Sequence, residues 1–369
     1  MSSADQITSE RVVISIDVMS GDGGLGAVFG GLQKSVRKNA RLAFILHGQQ
    51  DKIDAQLARR RDLAAVCDVR DVDKIIPMDA KPSHAVRGGK GSSMWNAVES
   101  VKKGEATVAV SCGNTGALMA ISMLLLRKVP GVHRPAIAIL WPSHNASGFN
   151  TMLDVGADIK AEASDLVTYA VMGAAYARHG MHLTKPRVGL LNVGTEEHKG
   201  RGALHDAATE LEQRDGDGFE YIGYVEGSDI PSDKVDVIVT DGFTGNIAIK
   251  TAEGTASLIR GLLKQAFSHS PLSRFGALFA LTSLRRLTKR IDPRRVNGGV
   301  FLGLNGTVIK SHGAADATGV SAAIKLAFQL AEGGFHERLA ARVASGIQSS
   351  ETTPSNGPKD VTSSEATRP

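Results

Sequence analysis

Cysteine is nearly absent, with Cys67 and Cys112 the two in 369 residues. Two thiols exclude a disulfide framework and argue against a cysteine-based zinc site, and such usage fits a reducing cytoplasm. Aromatic residues are also few, at 5%, whereas glycines number 41. That balance suits an α/β protein with many tight turns between strands and helices. One charge-free stretch of roughly twenty residues lies between Glu105 and Arg127, long enough on paper to cross a bilayer. Its centre, "SCGNTG", is polar and turn-forming and would leave backbone groups unsatisfied in lipid. We read it as a buried strand, a loop and the start of a buried helix. The opening "MSSADQITSE" lacks the apolar core of a signal peptide. Charge excess is mild, at +5, but Arg285, Arg286, Lys289, Arg290, Arg294 and Arg295 crowd into one short segment.

What is present is an alternation. Short apolar runs, "RVVISIDV", "RLAFILHG", "ATVAVSCGN", "RPAIAILWP", "RVGLLNVG", "FEYIGYV" and "VDVIVTDG", are separated by amphipathic helical patterns such as 164–179 and 203–213. Most runs are apolar throughout, as expected for strands buried on both faces. The pattern predicts an α/β fold with a mostly parallel sheet, as one large core or two lobes. Residues 1–10 and 345–369 are poor in apolar side chains and read as disordered tails. The folded unit is then 11–344.

In a parallel sheet, ligands sit at the carboxyl ends of the strands. Four of the runs end in glycine-rich polar loops: "DVMSGDGG", "SCGNTGA", "NVGTEEHKG" and "TDGFTGN". Turns alone would explain any one of them; four together suggest one shared site. The first loop contains Gly21-Asp22-Gly23-Gly24-Leu25-Gly26, which reads G-x-G-x-x-G, the dinucleotide-binding fingerprint. Its context argues against that use. The second strand ends in His47-Gly48 rather than an acidic residue for the ribose, and Asp22 inside the loop would repel a pyrophosphate.

The ordered motifs carry a resemblance. Residues 17–22, "SSMWNAV", "SCGNTGALMA", "RPAIAILWPS", "LDVGAD", "RVGLLNVGTEEHKG", "DGFTGN" and "LGLNGTVIKSHGAAD" resemble the phosphate acyltransferases of bacterial phospholipid synthesis, over about residues 11–332. That family transfers a fatty acyl group reversibly from acyl carrier protein to inorganic phosphate. The resemblance implies a two-lobed α/β fold related to phosphate acetyltransferases and isocitrate dehydrogenases, and a homodimer; because thioester and acyl phosphate are both activated acyl groups, no cofactor is expected. Two positions depart from the family pattern: Ser20 stands where a glycine is usual, and Cys112 where an alanine is usual. Cys112 is therefore read as a small buried residue rather than a nucleophile.

The chemistry such an enzyme needs is modest. Phosphate is already anionic, so the protein must hold and orient it and stabilise the oxyanion formed on the thioester carbon. Glycine-rich loops at helix N-termini suit phosphate. Lys199 is the first choice for the charged contact and Asn246 for an amide donor, and the resemblance points to the same two positions. The bland alternatives are a solvated loop lysine and a plain helix N-cap. Asn114 and Thr115 are placed in the same cleft, with Ser92 and Ser93 capping a helix that faces it. Asp17, Asp22 and Asp241 are awkward beside an anion and are expected to orient loops or Lys199, with metal binding the weaker alternative. Gly21, Gly194, Gly242 and Gly245 belong to the phosphate-binding loops, and His312 is a second-tier site residue.

The basic segment 273–295 places Leu278, Leu281, Leu284, Leu287 and Ile291 at helical spacing, with Arg285, Arg286, Lys289 and Arg290 on other faces. Such a helix suits the inner surface of the cell membrane, where a membrane glycerol-3-phosphate acyltransferase would take the product. Leu284, Arg285, Arg286, Leu287, Lys289 and Arg290 are the expected membrane contacts. A core-facing helix with a solvated basic side, or a dock for acidic acyl carrier protein, would give the same pattern. No nucleic-acid recognition motif accompanies it. The rival functions are a coenzyme A-dependent phosphate acetyltransferase and a catalytically silent membrane or carrier-binding module.

Overall fold

The computed structural model describes residues 11–214, 218–270, 279–280, 282–283 and 298–351. In chain order the elements are β1 (Val12–Asp17), α1 (Gly24–Val36), β2 (Leu42–Gly48), α2 (Gln50–Leu57), α3 (Arg61–Ala64), β3 (Cys67–Asp71), α4 (Pro82–Gly88), α5 (Ser93–Lys102), β4 (Val108–Ser111) and α6 (Thr115–Leu126). There follow β5 (Ala136–Pro142), β6 (Phe149–Leu153), α7 (Ala163–Gly180), β7 (Arg187–Leu191), α8 (Gly202–Glu212), β8 (Glu220–Val225), β9 (Val237–Val239) and α9 (Gly242–Ser268). The last described elements are β10 (Gly299–Leu302), β11 (Thr307–Lys310), α10 (Ala317–Glu332) and α11 (Phe335–Glu351).

All strands join one eleven-stranded sheet in the order β3-β2-β1-β4-β11-β10-β5-β6-β9-β7-β8. The first five are mutually parallel, and so are the last four. Three successive antiparallel pairings, β11 with β10, β10 with β5 and β5 with β6, reverse direction between the two blocks. The expected two-lobed, mostly parallel architecture is thus one continuous sheet whose halves run opposite ways. Each half has its own switch point: the chain leaves β1 toward β2 and returns on the other side at β4, and it leaves β7 toward β8 and returns at β9. Loops diverge at such points and leave a crevice.

Helices cover both faces, which is why most strands are apolar throughout. Alternation along a strand assigns side chains to opposite layers. Val108 and Val110 of β4 join one core cluster and Ala109 another; Val237 and Val239 of β9 face one way and Ile238 the other. Helices α1 and α10 pack closely because Gly31 offers no Cβ; one there would stand 2.5 Å from the Val320 Cβ. The ring of Tyr176 on α7 meets Phe335 of α11 edge-on, with centroids 5.8 Å apart.

The apolar runs became β1, β2, β4, β5, β7, β8 and β9, and the helical patterns became α7 and α8. The charge-free stretch is β4, a loop and α6, and no described helix is long and apolar enough to cross a membrane. Four strands were not anticipated. β3 (CDVRD) is an edge strand with mostly polar residues, and β6, β10 and β11 are only 4 or 5 residues long. The tail expected from residue 345 also needs correction, since α11 continues to Glu351. Leu284, Arg285, Arg286, Leu287, Lys289 and Arg290 lie outside the described residues, as do 1–10 and 352–369.

Candidate functional site

A cleft of about 440 Å³ opens where the two sheet halves meet. Its apolar wall comes from Ile137, Ile139, Leu140 and Trp141 of β5, with Val155 and Ile249. Its polar lining comes from both halves: Thr115, Lys310, His312 and Gly313 on one side, Asn246, Lys250 and Glu253 of α9 on the other.

On the first side, the glycine loop after β1 is a packing device. Gly21 takes φ +103°, a conformation that favours glycine, and a Cβ there would lie 2.7 Å from that of Cys112. The Asp22 amide donates to the Gly313 carbonyl at 2.8 Å, which ties this loop to the one after β11. Ser20, standing where the family has glycine, is buried without a left-handed backbone. Asp17 accepts from the Ser111 hydroxyl at 2.7 Å and from the Met19 amide at 3.3 Å, so it orients two loops, as an interior carboxylate should. Asn114 caps α6 by accepting from the Ala117 amide at 2.8 Å, and its NH₂ donates to the Met78 and Ala80 carbonyls. Ser92 caps α5 through the Trp95 amide, and Ser93 is buried beside it. Asn114 and Ser92 hold the scaffold, and none of the three is among the cleft's lining residues; Thr115, one residue after Asn114, is. Burial pushes the Cys112 thiol up, which matches the reading of it as a packing residue.

On the second side, Asp241 caps α9. It accepts from the Thr244 amide at 2.8 Å and the Thr244 hydroxyl at 3.0 Å, and Arg201 pairs with it. Burial alone would raise its pKa, but these donors outweigh burial and hold it below the usual carboxylate range. Asp241 therefore orients Arg201, not Lys199. The first turn of α9 presses onto the 154–158 loop: the Gly242 amide donates to the Asp158 carbonyl at 2.7 Å, and a Cβ on Gly245 would stand 2.0 Å from the Asp154 carbonyl oxygen. That contact sets Asn246 at the mouth of the cleft, with its side chain exposed and accepting or donating no bond among the described residues. Lys199 is elsewhere. Its ammonium donates to Glu196 at 2.7 Å, which raises its pKa; the side chain is 42% exposed and does not line the cleft. Gly194 lies under it, because a Cβ there would sit 2.4 Å from Lys199 Cδ.

Two residues were not singled out from the sequence. Asp154 is fully buried and accepts from the amides of Ile137, Val155, Ala157 and Asp158 at 2.6–3.0 Å, fastening β5 to the loop that α9 rests on. Burial raises its pKa to about 6 against those four donors. Lys310 ends β11 and lines the cleft, with its ammonium donating to the Cys112 carbonyl at 3.3 Å and to that of Ser311. Burial lowers its pKa to about 8, a shift that Cys112, Asp17 and Asp22 oppose and Lys250 reinforces. A lysine ending an apolar strand just before "SHG" was the available signal. His312 follows in the same loop, where its Nδ1 accepts from the Ala314 amide at 3.1 Å. Among the described residues, no three His, Cys, Asp or Glu side chains converge on a metal position.

Known proteins match this chain over nearly its whole length. The family described as "Fatty acid synthesis protein" matches residues 12–338. A phosphate acyltransferase of Paracoccus denitrificans is 62% identical over 355 residues, 94% of this chain and 96% of its own. One from Dinoroseobacter shibae is 65% identical over 334 residues, 90% of this chain and 87% of its own. Among solved structures, a phosphotransacetylase from Streptococcus pyogenes superposes with a TM-score of 0.55 at 17% identity, covering 89% of this chain and 99% of its own. A branched-chain phosphotransacylase from Enterococcus faecalis gives 0.54 at 14% identity, over 87% and 99%. At such identities the structural likeness bears on the fold alone, whereas matches above 60% over 87% or more of both chains bear on descent. The chain belongs to the fatty acid synthesis protein family, the family of the phosphate acyltransferases.

Proposed function

We propose that this phosphate acyltransferase transfers a fatty acyl group from the thioester of acyl carrier protein to inorganic phosphate, and that the reaction takes place in the cleft between the sheet halves. The observation that carries this reading is the cleft's composition. An apolar wall built on β5 faces a polar set that includes two lysines and an exposed amide. A fatty chain laid on that wall gains roughly 0.8 kcal/mol for each methylene removed from water, while the reacting end meets donors suited to anions.

A phosphate oxygen attacks the thioester carbon, the carbonyl electrons move onto oxygen, and their return expels the carrier's thiolate and leaves an acyl phosphate. The Asn246 side-chain amide, in the second turn of α9, donates to the oxyanion, and the positive end of the helix dipole adds to it. Lys199 serves the phosphate as it arrives. Its pair with Glu196 is exposed, and exposed pairs contribute little to stability, so exchanging a carboxylate for a phosphate oxygen is easy. Thr115 opens α6 and Gly242 and Gly245 lie in the first turn of α9, so their support of the anion comes through those helix N-termini. Both acyl donor and product are activated, so the transfer runs in either direction without an energy-supplying cofactor.

The partners follow from the same reading. Exposed Leu258, Ile259, Leu262 and Leu263 on the far half of α9 support a face covered in a homodimer or laid on a membrane. Either would suit a cytoplasmic enzyme at the inner membrane surface, passing acyl phosphate to a membrane glycerol-3-phosphate acyltransferase.

The test is to incubate purified protein with palmitoyl acyl carrier protein, with and without phosphate, following free carrier thiol and acyl phosphate trapped as hydroxamate. Phosphate-dependent release of both in equal amounts is expected. Activity with acetyl coenzyme A alone would replace the donor in this reading. Silence with both donors would leave a carrier- or membrane-binding module.

A further inference from the structure

Two lysines, Lys250 and Lys310, line the cleft, and they differ in what holds them. Lys250 on α9 is tied to Glu253 at 2.8 Å. Lys310 is tied to no carboxylate among the described residues; its ammonium donates to the backbone carbonyls of Cys112 and Ser311. These two carbonyls belong to the loops after β4 and β11, adjacent parallel strands, with β4 flanking the first switch point. An ammonium has three protons. Two are used on the scaffold, which fixes the head group in a half-buried position, and one is left for the cleft.

We propose that Lys310 is the resident phosphate-binding cation of this site, donating its third proton to a phosphate oxygen across the cleft from Asn246. This rests on the acyl-transfer reading above and divides the labour within it: Lys310, from the first sheet half, holds the nucleophile, and Asn246, from the second, takes the oxyanion. Closing the phosphate between two halves of one sheet aligns it with the thioester without moving either rigid block. Lys199, exposed and paired with Glu196, then acts on entry and not as the fixed anchor.

The charged and titratable groups around Lys310 are Asp17 of β1, Asp22 of the following loop, Cys112 after β4, His312 after β11, and Lys250 and Glu253 of α9, which are paired with each other. Asp17 and Asp22 favour its charged form, but burial dominates and brings its titration to about 8. Anion binding should therefore weaken as pH rises past about 8, where the free site loses its charge.

The experiment uses the full chain and reads binding and turnover separately. Thermal unfolding is followed with and without sulfate, whose charge is constant from pH 6.5 to 9.5, and the phosphate and acyl-carrier KM values are measured for wild type and Lys310→Gln. Sulfate should protect wild type below pH 8 and progressively less above it, an arm that needs no variant. Lys310→Gln should lose the protection and raise the phosphate KM about 10- to 100-fold, the loss of one charge-assisted hydrogen bond, with the carrier KM within about twofold. A phosphate KM unchanged in the variant, or sulfate protection absent or level across pH 8 in wild type, overturns the proposal. Protection that depends on Lys310 without phosphate-dependent thiol release would sustain the anion site and sink the acyl-transfer reading instead.

Discussion

An alanine at position 245 would place its Cβ 2.0 Å from the carbonyl oxygen of Asp154 and 3.0 Å from Thr240 Cγ2, whereas real Cβ contacts essentially never fall under 3.0 Å. The first turn of α9 must then retreat by about 1 Å, because its neighbour cannot. Asp154 is held through its own amide to the Thr240 carbonyl at 2.9 Å and through its carboxylate to four further amides. Asn246 is the next residue and moves with the helix. A displacement of about 1 Å at a reacting centre costs on the order of 10²-fold in rate. Overpacking costs roughly 1–3 kcal/mol, offset by about 1 kcal/mol from the better helix propensity of alanine, so the net loss of stability is only about 0–2 kcal/mol. Gly245→Ala should therefore fold and fail to turn over. Gly254→Ala on the same helix is the control, since a Cβ there meets nothing within 4 Å; it should gain roughly 0.5–1 kcal/mol with normal activity. The assay is phosphate-dependent thiol release alongside thermal melts of both variants. If Gly245→Ala turns over like wild type and melts higher, as the control should, then the contact with Asp154 does not position Asn246.

Asn246→Ala should cut kcat by about 10²–10³, as for an oxyanion donor, and leave the melting curve unchanged because its amide holds nothing else; a lower melting temperature would mark it as structural. Gly31→Ala should destabilise by about 1–3 kcal/mol by pushing α10 away from α1, with the turnover of folded protein intact, as urea unfolding and specific activity would report. His47 is buried between Ser15 and Ser100, with Nε2 3.0 and 3.2 Å from their hydroxyls, and burial lowers its pKa from 6.5 to about 4. Its neutral form is favoured on folding, so the stability is present above pH 6.5 and is lost as pH falls toward 4, by about 3 kcal/mol in full. Urea unfolding at pH 7.5 and 4.5 should show a smaller acid loss for His47→Gln than for wild type, and equal losses would contradict the assignment.

The fold class was legible because burial on both faces leaves a direct trace: "VDVIVTDG" and "ATVAVSCGN" have no polar face to offer water. β3 left no such trace, being a polar edge, and β10 and β11 are too short for a periodic signal. The site was half legible. Thr115 and Asn246 lie at the starts of helices that follow strands and His312 in a loop after one, and the tertiary structure brings the three to one cleft. Ser92 and Asn114 lie in equally suggestive loops but spend their polar atoms on capping helices, a distinction that composition does not record. Lys310 was overlooked because it reads as the last residue of a strand; only the Cys112 carbonyl in the loop after the neighbouring β4, together with that of Ser311 next in the chain, reveals that its ammonium is held.

Sequence by itself determined the local matters: which runs are strands buried on both sides, which loops are glycine-rich, and which family the ordered motifs resemble. Those properties depend on residues within a few positions of one another. The tertiary structure alone decided that the glycine loop packs against residues 313 and 315, and that Lys310 and Asn246 line one cleft. Such outcomes join positions tens to hundreds of residues apart. They follow from the strand order, which places β11 of one half and β9 of the other on either side of β10, β5 and β6.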